Sequence, residues 1–364
     1  MTQAEAAAGG RFIRGIGTAA PVTSYSKAEC LAAFERSDWF SRLDARSHLI
    51  ARTVLGRDNG IERRRLAVST LDEVFKIDPD VLAQRFLTHA PRLASDAATR
   101  ALEDAGMAAD AIDAVVVSTC TGYLCPGLSG YVAERLGLRA DVHAFDLVGQ
   151  GCGAALPNLR LGCALLDSGT ARHVLSVCVE VSSAAMYLDN DPGVLISACL
   201  FGDGAGAAVL SRTPGGDAPR SIEWMDSASL LEPTERDALK FETRQGMLRN
   251  ILTRAVPALA ADRALRILHT VLPRAGLHAR DIGAWILHAG GRDVLQAVQR
   301  RFELPADALR HSAATLREYG NLSSAFVYFV LQAARADDQA PAGWWWLAAF
   351  GAGFSSHGAL LRVR

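Results

Sequence analysis

The sequence predicts an α/β protein built from two similar halves, and three observations carry that expectation. Strand-like apolar runs alternate with helix-like periodicity along the chain. One layout occurs twice, about 170 residues apart: Ala-Gly-Met-Ala-Ala-Asp-Ala-Ile-Asp-Ala-Val-Val-Val at 105–117 and Ala-Gly-Leu-His-Ala-Arg-Asp-Ile-Gly-Ala-Trp-Ile-Leu at 275–287, each a helix end, a turn and an apolar strand. In both copies a Gly-led segment opens a small-residue helix about 34 residues further on, Gly151-Cys152-Gly153-Ala154-Ala155 and Gly320-Asn321-Leu322-Ser323-Ser324, and another apolar strand follows over 173–179 and 343–350. Repetition at a long, nearly constant offset implies related halves meeting at one site.

Taken in order, helical spacing of apolar residues covers 27–36, 91–105, 129–136 and 153–167 in the first half, and short apolar runs mark strands over 113–119, 143–148, 173–180 and 205–211. The second half carries helices over 255–275, 291–302 and 323–336, with strands over 284–288, 344–350 and 357–363. Continuous runs such as Val115-Val116-Val117 and Trp344-Trp345-Trp346-Leu347 imply sheets covered on both faces. The turn-rich stretch 213–219 interrupts the periodicity, so the halves are expected over 1–215 and 216–364, packed tightly for want of any longer linker. With 364 residues, half of them apolar, the chain is long enough for two packed units.

A formal charge of −1 offers no electrostatic case for nucleic acid or an anionic membrane. The seven cysteines form no Cys-x-x-Cys pair and mostly sit in apolar runs, which fits reduced thiols in a cytoplasmic protein without a metal site. The N-terminus, with Thr2, Gln3, Glu5 and a run of alanines, lacks a basic region followed by an apolar core and reads as a frayed tail. No apolar run reaches the roughly 18 residues of a membrane span.

Cys152 is the first candidate for chemistry. An apolar strand runs through Gly149-Gln150-Gly151 into a helix, so the thiol faces free N–H groups and the positive helix end, a setting expected to favour thiolate. A buried structural cysteine is the alternative, and Cys163, Cys178 and Cys199 read that way. His288 ends the strand Trp285-Ile286-Leu287 and precedes Ala289-Gly290-Gly291, while Asn321 follows Gly320 at a helix start, where it can equally serve as an N-cap. Together the three offer a thiol nucleophile, a proton acceptor and two neutral donors for a developing oxyanion. Asparagine in place of a triad carboxylate suits chemistry in which an anion forms beside the pair, such as decarboxylation to an enolate.

On these residues the chain resembles the thiolase-fold condensing enzymes, and within them the type III polyketide synthases, from about residue 12 to the C-terminus. The segments that carry the likeness are 146–155 around Cys152, Leu200-Phe201-Gly202-Asp203-Gly204-Ala205, 285–291 around His288 and 319–325 around Asn321. The resemblance implies a duplicated αβαβα five-layered fold and a homodimer. It implies acyl-CoA starter and malonyl-CoA as substrates, with no cofactor. Cys152 would carry the acyl chain, His288 and Asn321 would decarboxylate malonyl-CoA, and Phe201 would be one of two gatekeeping phenylalanines.

The chain departs from the plant pattern at several places. The second gatekeeper falls in 246–251, which has no phenylalanine, leaving Arg249 or Asn250 in that neighbourhood. Val54 and Asp58 stand where cations are expected to grip CoA phosphates; Arg52, Arg57, Arg63 and Arg64 lie nearby and can substitute or form a solvated basic face. Cys120, Cys125 and Ala185 replace polar pocket residues, and small apolar walls leave room for an aliphatic chain or simply fill the core. The favoured expectation is therefore a medium or long fatty acyl starter and an alkylpyrone or alkylresorcinol product. The alternatives are a single-condensation enzyme similar to ketoacyl-ACP synthase III and an inactive partner of a condensing enzyme.

Overall fold

A computed structural model describes residues 10–215 and 220–364. The tail read from Thr2 to the alanines lies outside the described residues, and the expected boundary at 215/216 borders the undescribed stretch 216–219.

Nine strands form one mixed sheet in the order Ile282–Leu287, Gly343–Gly351, Ser355–Val363, Ile222–Leu231, Phe12–Ala19, Gly204–Ser211, His173–Glu180, Ala114–Thr119, His143–Val148. The repeat read from the sequence is visible in the pairing. Ala114–Thr119 runs parallel to His173–Glu180, which is antiparallel to Gly204–Ser211; Ile282–Leu287 runs parallel to Gly343–Gly351, which is antiparallel to Ser355–Val363. Among the described residues the two half-sheets pair at Phe12↔Glu223 and Ile13↔Ile222, with the Trp224 N–H donating to the Arg11 carbonyl (2.6 Å) beside them.

Helix Pro79–Ala105 packs on the first half-sheet and helix Val256–Val271 on the second, while helices Ala155–Asp167 and Phe326–Ala336 each touch strands of both. This is the five-layer αβαβα arrangement. All six residues of Ala114–Thr119 are buried, as its unbroken apolar run requires between two helical layers. Burying each of Val115, Val116 and Val117 favours folding by roughly 1.5–3 kcal/mol. Helix Pro79–Ala105 approaches its sheet through small residues: Ala90, Ala94, Ala97, Ala98 and Ala101 are fully buried, and a Cβ on Gly17 would sit 2.1 Å from the Ala97 carbonyl oxygen.

The halves differ at their outer edges. Where the first half has the edge strand His143–Val148, the second has helix Arg310–Tyr319. Ser312 on that helix donates to the Leu287 carbonyl (2.8 Å) and accepts from the Leu287 N–H (3.2 Å), pairing the C-terminal end of the edge strand Ile282–Leu287. His143–Val148 keeps an open edge and is half-exposed to exposed along its length.

The helix expected over 91–105 begins twelve residues earlier, at Pro79. Asp78 caps it by accepting from the Asp80 and Val81 N–H groups (3.0 and 3.2 Å), and Pro91 lies buried inside it. A proline suits a first helical turn, which is why Pro91 reads as a start; here tertiary packing absorbs its cost of about 3 kcal/mol. Strand Phe12–Ala19, helix Pro192–Leu200 and the hairpin of Leu239–Arg244 with Met247–Leu252 are further elements the periodicity does not mark.

Candidate active site

The edge strand His143–Val148 ends in a tight turn that delivers Cys152 to the start of the central helix Ala155–Asp167. Gly151 has φ +58°, and a Cβ there would lie 2.7 Å from the Ala352 N, so both conformation and space require glycine. The other central helix is preceded by Asn321, which pairs with the Phe201 segment: the Gly202 N–H donates to the Asn321 carbonyl (2.9 Å) and the Asn321 N–H to the Leu200 carbonyl (2.9 Å). His288 follows strand Ile282–Leu287, its N–H donating to the Ala348 carbonyl (2.9 Å) and its ring edge-on to Phe326 at 5.4 Å.

A chain of hydrogen bonds ties the three segments together. Ser323 Oγ donates to Cys152 Sγ (3.2 Å), the Ser323 N–H donates to Asn321 Oδ1 (2.8 Å), and Asn321 Nδ2 donates to the carbonyl of Gly290, two residues past His288 (3.1 Å). Asn321 is not the N-cap, a place held by Leu322; its Oδ1 closes a turn on the Ser323 N–H while its Nδ2 grips the histidine loop, with the second Nδ2 proton still available to donate.

The thiolate expectation is corrected. Burial pushes the Cys152 thiol up to about 12, because no cation replaces its lost water and the Ser323 hydroxyl offsets only part of the cost. Burial likewise lowers His288 to about 3, and its Nδ1 has no hydrogen-bond partner. The pair rests as neutral thiol and neutral imidazole, and the imidazole keeps an open acceptor for a proton.

Sequence reasoning missed Glu180. This fully buried carboxylate lies within reach of Thr119 Oγ1 (3.3 Å), Thr121 Oγ1 (2.9 Å), the Cys120 N–H (3.1 Å) and thiol (3.3 Å), Ser323 Oγ (3.3 Å) and Ser324 Oγ. Burial raises its pKa while these donors resist. The single Ser323 proton can serve Cys152 or Glu180 but not both at once, so the carboxylate and the thiol compete for one hydroxyl.

Two cavities adjoin this centre. The larger, about 790 Å³, is lined by Cys120, Gly149 and Gly151 and by apolar side chains including Leu82, Phe86, Leu87 and Met247. The smaller, about 30 Å³, is lined by Ser323, Ala185, Phe201 and Asn250 among others. Cys120 therefore lines one cavity, and Ala185, Phe201 and Asn250 line the other. Cys125 is corrected: the loop after strand Ala114–Thr119 turns outward and leaves it exposed, lining neither. Arg52 and Arg57 line neither as well; Arg52 is held by Glu35 (2.7 Å) and lies over the Phe40 ring. Arg249 is pinned by Asp189 (2.7 Å), Glu242 (2.8 Å) and Asp191 (3.1 Å), so Asn250 is the residue of the pair that reaches the cavity. Buried Arg64 donates to the carbonyls of Ala198 (2.7 Å) and Phe201 (3.2 Å) and so is not a solvated cation.

Among the described residues no group of three or more His, Cys, Asp or Glu side chains is placed to hold a metal ion, and no helix is long and apolar enough to cross a membrane.

Residues 29–221 match the family model for FAE1/type III polyketide synthase-like proteins, and residues 226–363 match that for the C-terminal domain of chalcone and stilbene synthases. The chain is 30% identical to a 3,5-dihydroxyphenylacetyl-CoA synthase of Streptomyces toyocaensis over 87% of this chain and 80% of that one. It is 37% identical to a 1,3,6,8-tetrahydroxynaphthalene synthase of Streptomyces peucetius subsp. caesius over 76% of this chain and 74% of that one. Among solved structures, PKS-I from the brown alga Ectocarpus siliculosus superposes with a TM-score of 0.88 at 25% identity, covering 97% of this chain and 98% of that one. The C-terminal type III polyketide synthase domain of Steely1 from Dictyostelium superposes at 0.85 with 24% identity, covering 97% and 99%, a likeness of fold.

Proposed function

This chain belongs to the type III polyketide synthases, acyltransferases of thiolase fold that condense malonyl-CoA, and on that premise we propose that Cys152 carries the acyl chain while His288 and Asn321 generate the attacking enolate. The observation that carries the assignment is the hydrogen-bond chain from Cys152 through Ser323 and Asn321 to the loop after His288.

Loading begins as the thiol passes its proton to the imidazole and attacks the starter thioester; CoA leaves and takes a proton. Malonyl-CoA then loses CO₂, and the electron pair of the broken C–C bond becomes an enolate. Its oxygen needs donors, which a neutral His288 N–H and the free Asn321 Nδ2 proton can supply. The enolate carbon attacks the Cys152 thioester, the tetrahedral oxyanion collapses, and Cys152 leaves as thiolate. The extended chain, now on CoA, returns to Cys152 for the next round. A buried, low-dielectric site strengthens every one of these contacts, and the Glu180 carboxylate reaches the chain of hydrogen bonds through Ser323, on the Cys152 side, while the donors to the enolate come from His288 and Asn321.

For the starter we propose a medium or long fatty acyl-CoA, cyclised after extension to an alkylpyrone or alkylresorcinol. The apolar wall of the larger cavity supports this, since each buried methylene is worth about 0.8 kcal/mol. A second reading, malonyl-primed synthesis of a polyhydroxylated aromatic, is favoured by Thr119, Cys120 and Thr121 on the same cavity wall and accords with the two Streptomyces relatives' names. The family match supports repeated condensation over the single-condensation alternative. We take the working assembly to be a homodimer joined at the open edge of His143–Val148.

Mass spectrometry of products from purified protein given malonyl-CoA and acyl-CoAs from acetyl to stearoyl, with Cys152→Ala as control, decides between these readings. Multi-malonate products that grow with the starter and vanish in the variant support the fatty acyl reading. A single product formed from malonyl-CoA alone, indifferent to the ladder, replaces it with the aromatic one. Multi-malonate products that persist in Cys152→Ala refute the assignment of the nucleophile.

A further inference from the structure

We propose that Asn250 and Ser182 form a polar subsite that holds an oxygen of the growing poly-β-keto chain and thereby sets how many malonyl units are added. The inference rests on the reading above, because it supposes a chain elongated on Cys152.

Asn250 lies on strand Met247–Leu252 and is only 8% exposed. Its Nδ2 donates to Ser197 Oγ (2.8 Å), while its Oδ1 is buried without a partner. Ser182 Oγ is a second buried polar atom without a partner, and both residues line the small cavity onto which Phe201, Ala185 and Ser323 also face. Of the other hydroxyls of that wall, Ser197 accepts from Asn250, Ser183 Oγ donates to Asp203 (2.6 Å), and Thr121 and Ser323 belong to the Glu180 network. If the Asn250 amide is turned over, Ser197 donates to Oδ1 and an Nδ2 proton is left instead, so one polar group faces the cavity in either orientation.

A buried polar group left unmatched destabilises the empty site, and a ligand that matches it recovers that loss. A poly-β-keto chain carries an oxygen on every second carbon: as a ketone it accepts from the Ser182 hydroxyl, and as an enol it donates to Asn250 Oδ1. A saturated alkyl chain can do neither, so the small cavity selects oxygenated carbons and leaves the apolar starter to the larger one. At about 30 Å³ the small cavity suits a group the size of one water molecule, which a carbonyl oxygen is and a folded ring is not. Asn250 is held in register by its neighbour Arg249, fixed to three carboxylates on two segments.

The amides of the CoA arm offer the same donor and acceptor chemistry, and the test separates the two sources. Products of the wild type, Asn250→Leu and Ser182→Ala are quantified by mass spectrometry with the preferred starter, alongside KM for malonyl-CoA. The expected result is a rise of about tenfold in the ratio of chains released early to full-length product in each variant, tenfold corresponding to about 1.4 kcal/mol of lost contact. A tenfold rise in KM with the product ratio fixed assigns the subsite to the CoA arm and overturns the proposal, as does a fixed ratio with fixed KM. Ser182→Ala deletes a hydroxyl that has no partner in the fold, so it stays informative if Asn250→Leu folds poorly. A wild type that makes no multi-malonate product defeats the reading of the previous section; a wild type that makes them, with variants of the same product ratio, defeats only this one.

Discussion

Replacing His288 by glutamine tests the charge state of the resting site. In the folded protein burial holds the imidazole at about 3 against an ordinary value of 6.5. The unfolded chain therefore binds this proton more readily, and the stabilising contribution of the neutral ring is complete above 6.5 and lost as pH falls towards 3. The full span corresponds to about 5 kcal/mol, of which about 2 kcal/mol is lost between pH 7 and pH 5. His89, His173, His311 and His357 are also lowered by burial, so the wild type alone cannot isolate the effect. Urea unfolding of wild type and His288→Gln at pH 7 and pH 5 cancels their contribution: the wild type is expected to lose about 2 kcal/mol more than the variant. A difference below about 0.5 kcal/mol would mean that the folded ring keeps its proton beside a Cys152 thiolate, refuting the neutral pair.

Two further substitutions probe the same centre. Ser323→Ala removes a hydroxyl that lowers the Cys152 thiol, so alkylation of Cys152 by iodoacetamide at pH 8 should slow by about three- to tenfold, in line with a hydrogen bond of about 1 kcal/mol; an unchanged rate would show that the hydroxyl serves Glu180 instead. Gly151→Ala meets both a φ of +58° and the Ala352 N at 2.7 Å, and should cost at least about 2 kcal/mol in urea unfolding and abolish acyl loading seen by intact mass. Gly130→Ala, helical and with open space at the Cβ, should instead stabilise by about 0.5–1 kcal/mol.

Those parts of the fold where local pattern and tertiary role agree were legible in the sequence. Strands Ala114–Thr119 and Gly343–Gly351 are buried on both faces, so their composition alone marks them. Phe12–Ala19 is as deeply placed, yet Gly15 and Gly17 break its apolar pattern. Those glycines are set by the backbone of helix Pro79–Ala105 pressing on the strand, a cause some 80 residues away. In the site, Cys152, His288 and Asn321 stand out because each follows a strand or glycine break at a repeated position. Glu180 does not, since a carboxylate ending Val-Leu-Ser-Val-Cys-Val reads as the polar end of a strand. Only the fold reveals that two distant segments, 119–121 and 323–324, aim donors at it. The thiol's expected acidity failed for a related reason: a helix end is a local feature, whereas the desolvation that outweighs it comes from the whole packed interface between the halves.

The unequal treatment of the two outer sheet edges limits how copies of this chain can join. An edge strand is a template that extends for as long as each added unit brings a fresh edge of its own. Here Ser312 engages Leu287 at the end of one margin of the nine-stranded sheet, whereas the other margin, His143–Val148, carries no such partner among the described residues. Two such molecules meeting along His143–Val148 use up both edges, and the contact must be isologous, each surface matched to its own image across a two-fold axis. In the homodimer proposed above, each copy's nine-stranded sheet would spend the edge at His143–Val148 on its partner's, so growth along that edge would stop at a closed pair.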